Sequence, residues 1–280
     1  MKKFFSYIGI FCLLLVSFFY TEKTVNVVKE YDEVMIAIKE YSINNKKEAV
    51  NAYIDGNTII PGIKGYEVDI DKSYHNMKRY GKFDSSLLEY ENVLPTITMS
   101  NNKDKYIISG NPDKRMVSLI FIVDNNSDIE SILSILNNEK VKGNFFIDNE
   151  WLENNSHKLE NIINEGHVIG NLSSNFNYMD SSFLWMDTVI KKVGKQSNGY
   201  CYFIDENESE LNMCSLYDNY SIKPTIISSY PYKEVKEKLV SGSILSFNIN
   251  SSTIQELPIV ISYIKSRGLI IQNLNELIKE

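Results

Sequence analysis

Three aspartates in this 280-residue chain stand where chemistry could be done: Asp124, Asp148 and Asp205 each follow a short apolar run, and Asn125, Asn171 and Asn248 hold comparable places. Carboxylates brought together can act as general acid and base. An oxygen-only set could instead bind Ca²⁺ or Mg²⁺ weakly, or accept hydrogen bonds from sugar hydroxyls. Tyr178, Phe183 and Trp185 could add a sugar-stacking platform, although aromatics at helical spacing more often belong to a core. Polar residues follow strands in almost any β/α protein, so the arrangement alone does not prove a site. His75 is a lone imidazole on a Lys- and Asn-rich helix face, which marks it as solvated rather than catalytic.

Positioning these residues requires an alternation of strands and helices, and from Met116 onward the sequence supplies one. Apolar runs predict strands over 117–123, 143–147, 168–169, 200–204, 224–227, 244–247 and 269–272. Helical stripes fall between and after them at 129–136, 159–164, 183–193, 209–217, 235–240, 258–266 and 274–278, with Pro258 near a first turn. About seven β/α units imply a parallel sheet closing into a compact, distorted (β/α) barrel. In such folds the site lies at the carboxyl ends of the strands, where the aspartates stand.

The stretches "VSLIFIVDNNSD", "VKGNFFIDNEWLEN", "IINEGHVIGNLSSN", "SGSILSFNIN" and "YIKSRGLIIQNLNELI" follow one another as in a polysaccharide deacetylase (NodB-like) domain, which residues 115–280 resemble. The resemblance implies a parallel β/α barrel that removes acetyl groups from N-acetylglucosamine units of peptidoglycan, chitin or related polymers. It further implies a divalent metal, usually zinc, that polarises the amide carbonyl and activates water. The bond broken is an amide C–N bond other than a peptide bond. The family holds its metal through an Asp of a T-F-D-D-G motif and two histidines of an H-[ST]-x-x-H motif.

Transferred onto this chain, the motifs fail at their donors. Ile122-Val123-Asp124-Asn125-Asn126 occupies the T-F-D-D-G place, so Asp124 keeps the position of the general base while the metal-binding Asp has become Asn125. Leu172 and Phe176 replace the two histidines. An amide and two hydrocarbon side chains cannot hold zinc, so no cofactor is expected. His167 stands at the start of its strand, at the wrong end of the barrel. The R-P-P-x-G stretch would fall near Tyr200-Cys201-Tyr202-Phe203, without Arg or Pro, and Asn248 replaces the late histidine that would act as general acid. The expectation is a degenerate site in which Asp124 is a vestigial base and Asn125, Asn171, Ser173 and Asn248 remain to contact glycan.

Upstream, Lys2 and Lys3 precede an uncharged apolar run over 4–20 without a small-x-small cleavage site, which predicts a signal anchor over residues 1–22, or alternatively a cleaved signal peptide. By the positive-inside rule the remaining chain lies outside the membrane, single-pass or secreted. Residues 23–47 carry Val28, Tyr31, Met35 and Ile38 at helical steps and predict an amphipathic stalk, and residues 48–112 a small α+β module. That module reads as strands over 49–54, 58–60, 96–99 and 105–109 with a helix from Asp71 to Gly81. Cys201 and Cys214 could form a disulfide if the helix after the strand folds back over it. A net charge of −7 argues against a nucleic-acid partner. Three functions follow: a catalytically degenerate membrane protein that binds cell-wall glycan or a cell-wall enzyme, an active carbohydrate N-deacetylase with a diverged site around Asp124, or a structural envelope protein.

Overall fold

The computed structural model describes residues 2–194 and 198–280, without the side chains of residues 2–9, 12, 22, 25, 26 and 28. The chain begins with α1 (Lys2–Glu30), α2 (Glu33–Asn44), β1 (Tyr53–Asp55), β2 (Thr58–Ile60), β3 (Gly65–Val68), α3 (Ile70–Met77), β4 (Tyr90–Val93) and β5 (Tyr106–Ile107). It continues with β6 (Met116–Val123), α4 (Ile129–Asn138), β7 (Asn144–Ile147), α5 (Asn149–Asn164), β8 (Val168–Asn171), α6 (Ser182–Gly194) and β9 (Tyr200–Tyr202). The remaining elements are α7 (Glu208–Leu216), β10 (Tyr220–Ile222), β11 (Thr225–Ile227), α8 (Pro231–Lys238), β12 (Ile244–Asn248), α9 (Ser251–Ser266), β13 (Ile270–Ile271) and α10 (Leu274–Leu277).

These elements form two units, Met1–Ala49 with Lys64–Leu94, and Val50–Ile63 with Pro95–Glu280. In the first, Asp32 caps α2 by accepting the Val34 N–H at 2.9 Å, and the helix buries Val34 and Ile38 against Val68 and Met77. The amphipathic stretch over 23–47 breaks at Tyr31–Asp32, with Tyr31 exposed and the Val28 side chain outside the description, and its second half buries Met35 and Ile38 as part of α2 on the protein's own body. The β3–β4 pair, absent from the sequence reading and joined through α3, is antiparallel from Gly65↔Val93 to Val68↔Tyr90. Asp69 caps α3, a short 3₁₀ turn follows, and Gly81 at φ 64° ends it in the left-handed conformation that glycine adopts freely. Half of the side chains in the membrane segment expected over residues 1–22 lie outside the description. Among the described residues no helix is long and apolar enough to cross a membrane, so that segment has no structural support.

The second unit is a curled sheet in the order β1-β2-β5-β10-β9-β8-β7-β6-β12-β11, with β13 joined to β6. All pairings from β2 to β11 are parallel, and only the β1–β2 hairpin is antiparallel. Since β1 and β11 stand at its two ends, the expected (β/α) barrel is distorted and incompletely closed. The boundary drawn over residues 48–112 is redistributed, because β2 and β5 pair through Thr58↔Tyr106 and bury Ile59 and Ile107 in the sheet. No strand forms over 96–99; instead Asn51 Oδ1 accepts the N–H groups of Thr96 and Ile97 at 2.8 and 3.1 Å. Pro258 lies inside α9, which starts seven residues earlier behind the Asn250 cap.

Strand β6 reads as a continuous apolar run because both of its faces are covered. Val117, Leu119, Phe121 and Val123 pack outward with the helices, while Ile120 and Ile122 face inward beside Phe146, Leu172 and Tyr202. Gly170 belongs to this inner face, where a Cβ would lie 2.4 Å from the Phe146 ring. Strand register thus fixes which side of the sheet each candidate residue occupies.

Candidate functional site at the carboxyl end of the sheet

Asp124 leaves the end of β6 exposed and is held by its own turn: Oδ1 accepts the Asn126 N–H and the Ser127 hydroxyl, both at 2.9 Å. Asn125 beside it is exposed, as is Asn248 at the end of the neighbouring strand β12. These three candidates stand on adjacent strand ends facing solvent. The Asn248 carbonyl accepts from the Thr253 hydroxyl at 2.8 Å, which ties the strand end to α9.

Asn171 and Ser173 are placed differently. Asn171 is buried on the helix-facing side of β8, where Nδ2 donates to the Phe183 carbonyl at 3.2 Å and Oδ1 accepts the Ser173 N–H at 2.7 Å. Ser173 is also buried and donates to the Asn177 carbonyl at 2.7 Å. Both side chains therefore have partners inside the protein.

The loop after β8 decides the character of the mouth. Ser173, Asn175 and Phe176 all adopt left-handed φ angles, 56°, 55° and 62°, which non-glycine residues enter only when surrounding contacts impose them. The imposing contacts are visible: Phe176 N–H donates to the Leu172 carbonyl at 3.0 Å, and the buried Tyr178 hydroxyl accepts the Tyr202 N–H at 2.7 Å. This winding turns Leu172, 2% exposed, and the half-buried Phe176 onto the inner cluster, with the Phe176 and Tyr202 rings 5.8 Å apart. Phe146 lies 5.6 Å from the same Tyr202 ring, whose hydroxyl pairs with Ser246 Oγ at 2.9 Å. The sequence reading missed the Tyr202–Ser246 pair, although both positions fall in the inward register of their strands.

A metal does not fit these residues, because hydrocarbon and an exposed neutral amide offer no imidazole, thiolate or carboxylate donor. The alternative of a three-carboxylate Ca²⁺ or Mg²⁺ site is corrected as well: among the described residues no three His, Cys, Asp or Glu side chains form a group that could hold a metal ion. Asp148 is engaged as the cap of α5, accepting the Trp151 N–H at 2.7 Å, and Asp205 sits on an exposed loop. Burial raises the Asp148 carboxyl above its ordinary range, and the charges of Glu150 and Asp124 add to the effect. The aromatic platform dissolves too, since Tyr178 and Phe183 are core residues 5.4 Å apart and only Trp185 reaches the surface. His167 is buried at the start of β8, far along the strand from the mouth, and its Nδ1 accepts the Gly143 N–H at 3.0 Å.

Residues 109–237 match the family model for polysaccharide deacetylase. The uncharacterized protein YlxY of Bacillus subtilis (strain 168) is 33% identical over 166 residues, which are 59% of this chain and 50% of that protein. The chain thus spans about half the length of the curated relative it matches. A CE4 family pseudoenzyme from Bacillus anthracis has a similar solved structure, with a TM-score of 0.64 at 25% identity over 89% of this chain and 96% of that one. The fold is also similar to that of Bacillus subtilis PdaA, a family 4 carbohydrate esterase, with a TM-score of 0.53 at 19% identity over 64% and 86% of the two chains.

Proposed function

Since this chain carries a polysaccharide deacetylase domain whose metal and catalytic motifs have degenerated, we propose that it acts by binding cell-wall glycan and not by deacetylating it. One observation carries this reading: Leu172 and Phe176 pack into the inner cluster where the resemblance requires two histidines. A metal-free mouth loses the Lewis acid that would polarise the amide, and Asn248 can take no part in general-acid work of the kind worth about 10² to 10⁴ in rate. The exposed Asp124, Asn125 and Asn248 retain the hydrogen-bonding groups that sugar hydroxyls need. Degeneration of this kind has a parallel in the B. anthracis pseudoenzyme, of which a mutant with restored enzymatic activity is known.

The test is a metal and acetate assay on the purified chain. We expect no stoichiometric zinc, no acetate released from acetylated chito-oligosaccharide, and retention on insoluble peptidoglycan. A triple variant, Asn125→Asp with Leu172→His and Phe176→His, should take up about one zinc per chain by rebuilding an Asp and two-His donor set. Tight zinc in the unaltered protein, with acetate release that Asp124→Ala abolishes, would sink the proposal in favour of a diverged hydrolase. Absence of any retention on peptidoglycan would favour a structural envelope protein.

The same proposal places the protein outside the cytoplasmic membrane, tethered through α1 or secreted. Its support is the Lys2-Lys3 pair ahead of the apolar run 4–20 in the sequence. Protease added to intact cells should digest the chain if this is right, and protection from it would refute the placement.

A further inference from the structure

The structure joins Cys201 of β9 to Cys214 of α7, with Cα atoms 6.5 Å apart and neither residue exposed. Cys201 lies in the interior of the sheet, its strand paired with β8 through Asn171 and with β10 through Ser221. Cys214 meets it from the helix side, and Tyr106, Tyr178, Phe183, Phe203 and Leu211 complete the cluster around both. We propose that this bond is installed by thiol–disulfide exchange with an external disulfide donor before the β9–α7 segment packs, and that it then covalently holds the loop between them at the rim of the mouth.

The argument begins with access. Exchange proceeds when a thiolate attacks a disulfide sulfur, so the donor must reach the cysteine. In the packed cluster both sulfurs are enclosed and no donor can approach. The chemistry therefore precedes burial. One cysteine thiolate attacks the donor disulfide, forming a mixed disulfide and expelling one donor thiolate. The second cysteine thiolate attacks the mixed disulfide at the chain's own sulfur, closing the Cys201–Cys214 bond and releasing the other donor sulfur. Two electrons pass from the cysteine pair to the donor, and the two thiol protons end on the donor as a dithiol or two thiols. Such a donor persists in an oxidising compartment and is scarce in a reduced cytosol.

The covalent ring has a position as well as a chemistry. It closes over a sequence separation of 13 residues and contains the exposed Ile204 and Asp205, which follow the carboxyl end of β9. The neighbouring Tyr202 lines the mouth, and its N–H is bonded to the Tyr178 hydroxyl that winds the loop after β8. The bond thus anchors one side of the rim whatever ligand the mouth takes, and the inference rests on the proposed extracytoplasmic placement and not on the glycan reading.

Two measurements on the full chain test it. Protein recovered from whole cells with free thiols blocked at lysis, and digested without reductant, should yield the peptides of Cys201 and Cys214 as one cross-linked species; recovery of both as blocked free thiols would overturn the proposal, whereas the protease test on intact cells bears separately on the placement. Dithiothreitol should reduce the native protein at least about a hundredfold more slowly than the protein unfolded in urea, because attack must await opening of the cluster. Equal rates in the two states would show the sulfurs accessible and defeat the order of events proposed.

Discussion

The two ends of the sheet in the second unit contrast sharply in how they use polar groups. At the amino end, Asn144 sits inside with Nδ2 donating to Ser118 Oγ and the Leu119 carbonyl at 2.9 and 2.7 Å, while Oδ1 accepts the Leu274 N–H at 2.7 Å. Ser118 passes its own proton to the Gln272 carbonyl at 2.7 Å. At the carboxyl end the inner layer is Ile122, Phe146, Leu172, Phe176 and Tyr202, relieved inside by the Tyr202–Ser246 hydroxyl pair, while Asp124, Asn125 and Asn248 stand on the exposed rim. In β/α barrels the amino end secures the fold and the carboxyl end carries chemistry. Catalytic donors can therefore be replaced by hydrocarbon without loss of the fold, since burial of Leu172 and Phe176 stabilises the mouth that ionisable groups would strain.

Removing Asn144 should give the largest effect. Asn144→Ala leaves the Leu274 N–H buried without its partner, at about 1–3 kcal/mol, and removes the two bonds that Nδ2 donates, at about 1 kcal/mol each, so a loss of roughly 3 kcal/mol or more is expected in urea unfolding. A loss below about 1 kcal/mol would mean that the amino end is not the secured end.

His167 supplies the next test, through pH. Its imidazole is held down to about 4, chiefly by burial and then by the nearby Lys142 charge, with Glu165 opposing. Nδ1 already accepts the Gly143 N–H, and Nε2 has no hydrogen-bond partner, so the neutral ring is the form that the fold accommodates. Above the unfolded value near 6.5 both states are neutral and the full stability is present. As pH falls from about 6.5 towards 4 the unfolded chain binds a proton that the folded chain refuses, and up to about 3 kcal/mol is lost. His167→Asn, which keeps an acceptor for Gly143, should flatten that slope. An unchanged slope would assign the acid sensitivity to other groups.

How legible these features were in the sequence follows from burial. Strands β6 and β12 were readable because both faces are covered and the residues form apolar runs broken only by Ser118 and Ser246 before the terminal Asn248. The β3–β4 pair was not, since Tyr66, Glu67, Tyr90 and Glu91 are exposed and no alternation marks a buried face. At the mouth, the substitutions Asn125, Leu172 and Phe176 announced the lost donors by residue type alone. That Asn171 and Ser173 point into the protein depends on the register of β8 and on three left-handed residues, none of them glycine, for which the local sequence gives no signal. Cys201 and Cys214 were readable as a pair but not as a bond, because their distance is set by how α7 packs.

The smallest stability effects are expected at the rim, and there they sharpen the contrast most. Among the described residues the Asn248 side chain makes no hydrogen bond, so Asn248→Ala should stay within about 0.5 kcal/mol of the parent. Asp124→Ala opens its turn by removing the acceptor of Asn126 N–H and Ser127, for roughly 1 kcal/mol. If the rim binds glycan, the double variant should lose most of its retention on peptidoglycan while unfolding almost as the parent does. A loss of stability comparable to that of Asn144→Ala would make the rim structural and erase the distinction between the two ends. Full retention by a stable double variant would keep the distinction but move the ligand away from the mouth. The pairing of a small unfolding change with a large binding change is thus the signature that separates a surviving recognition surface from a merely plugged one.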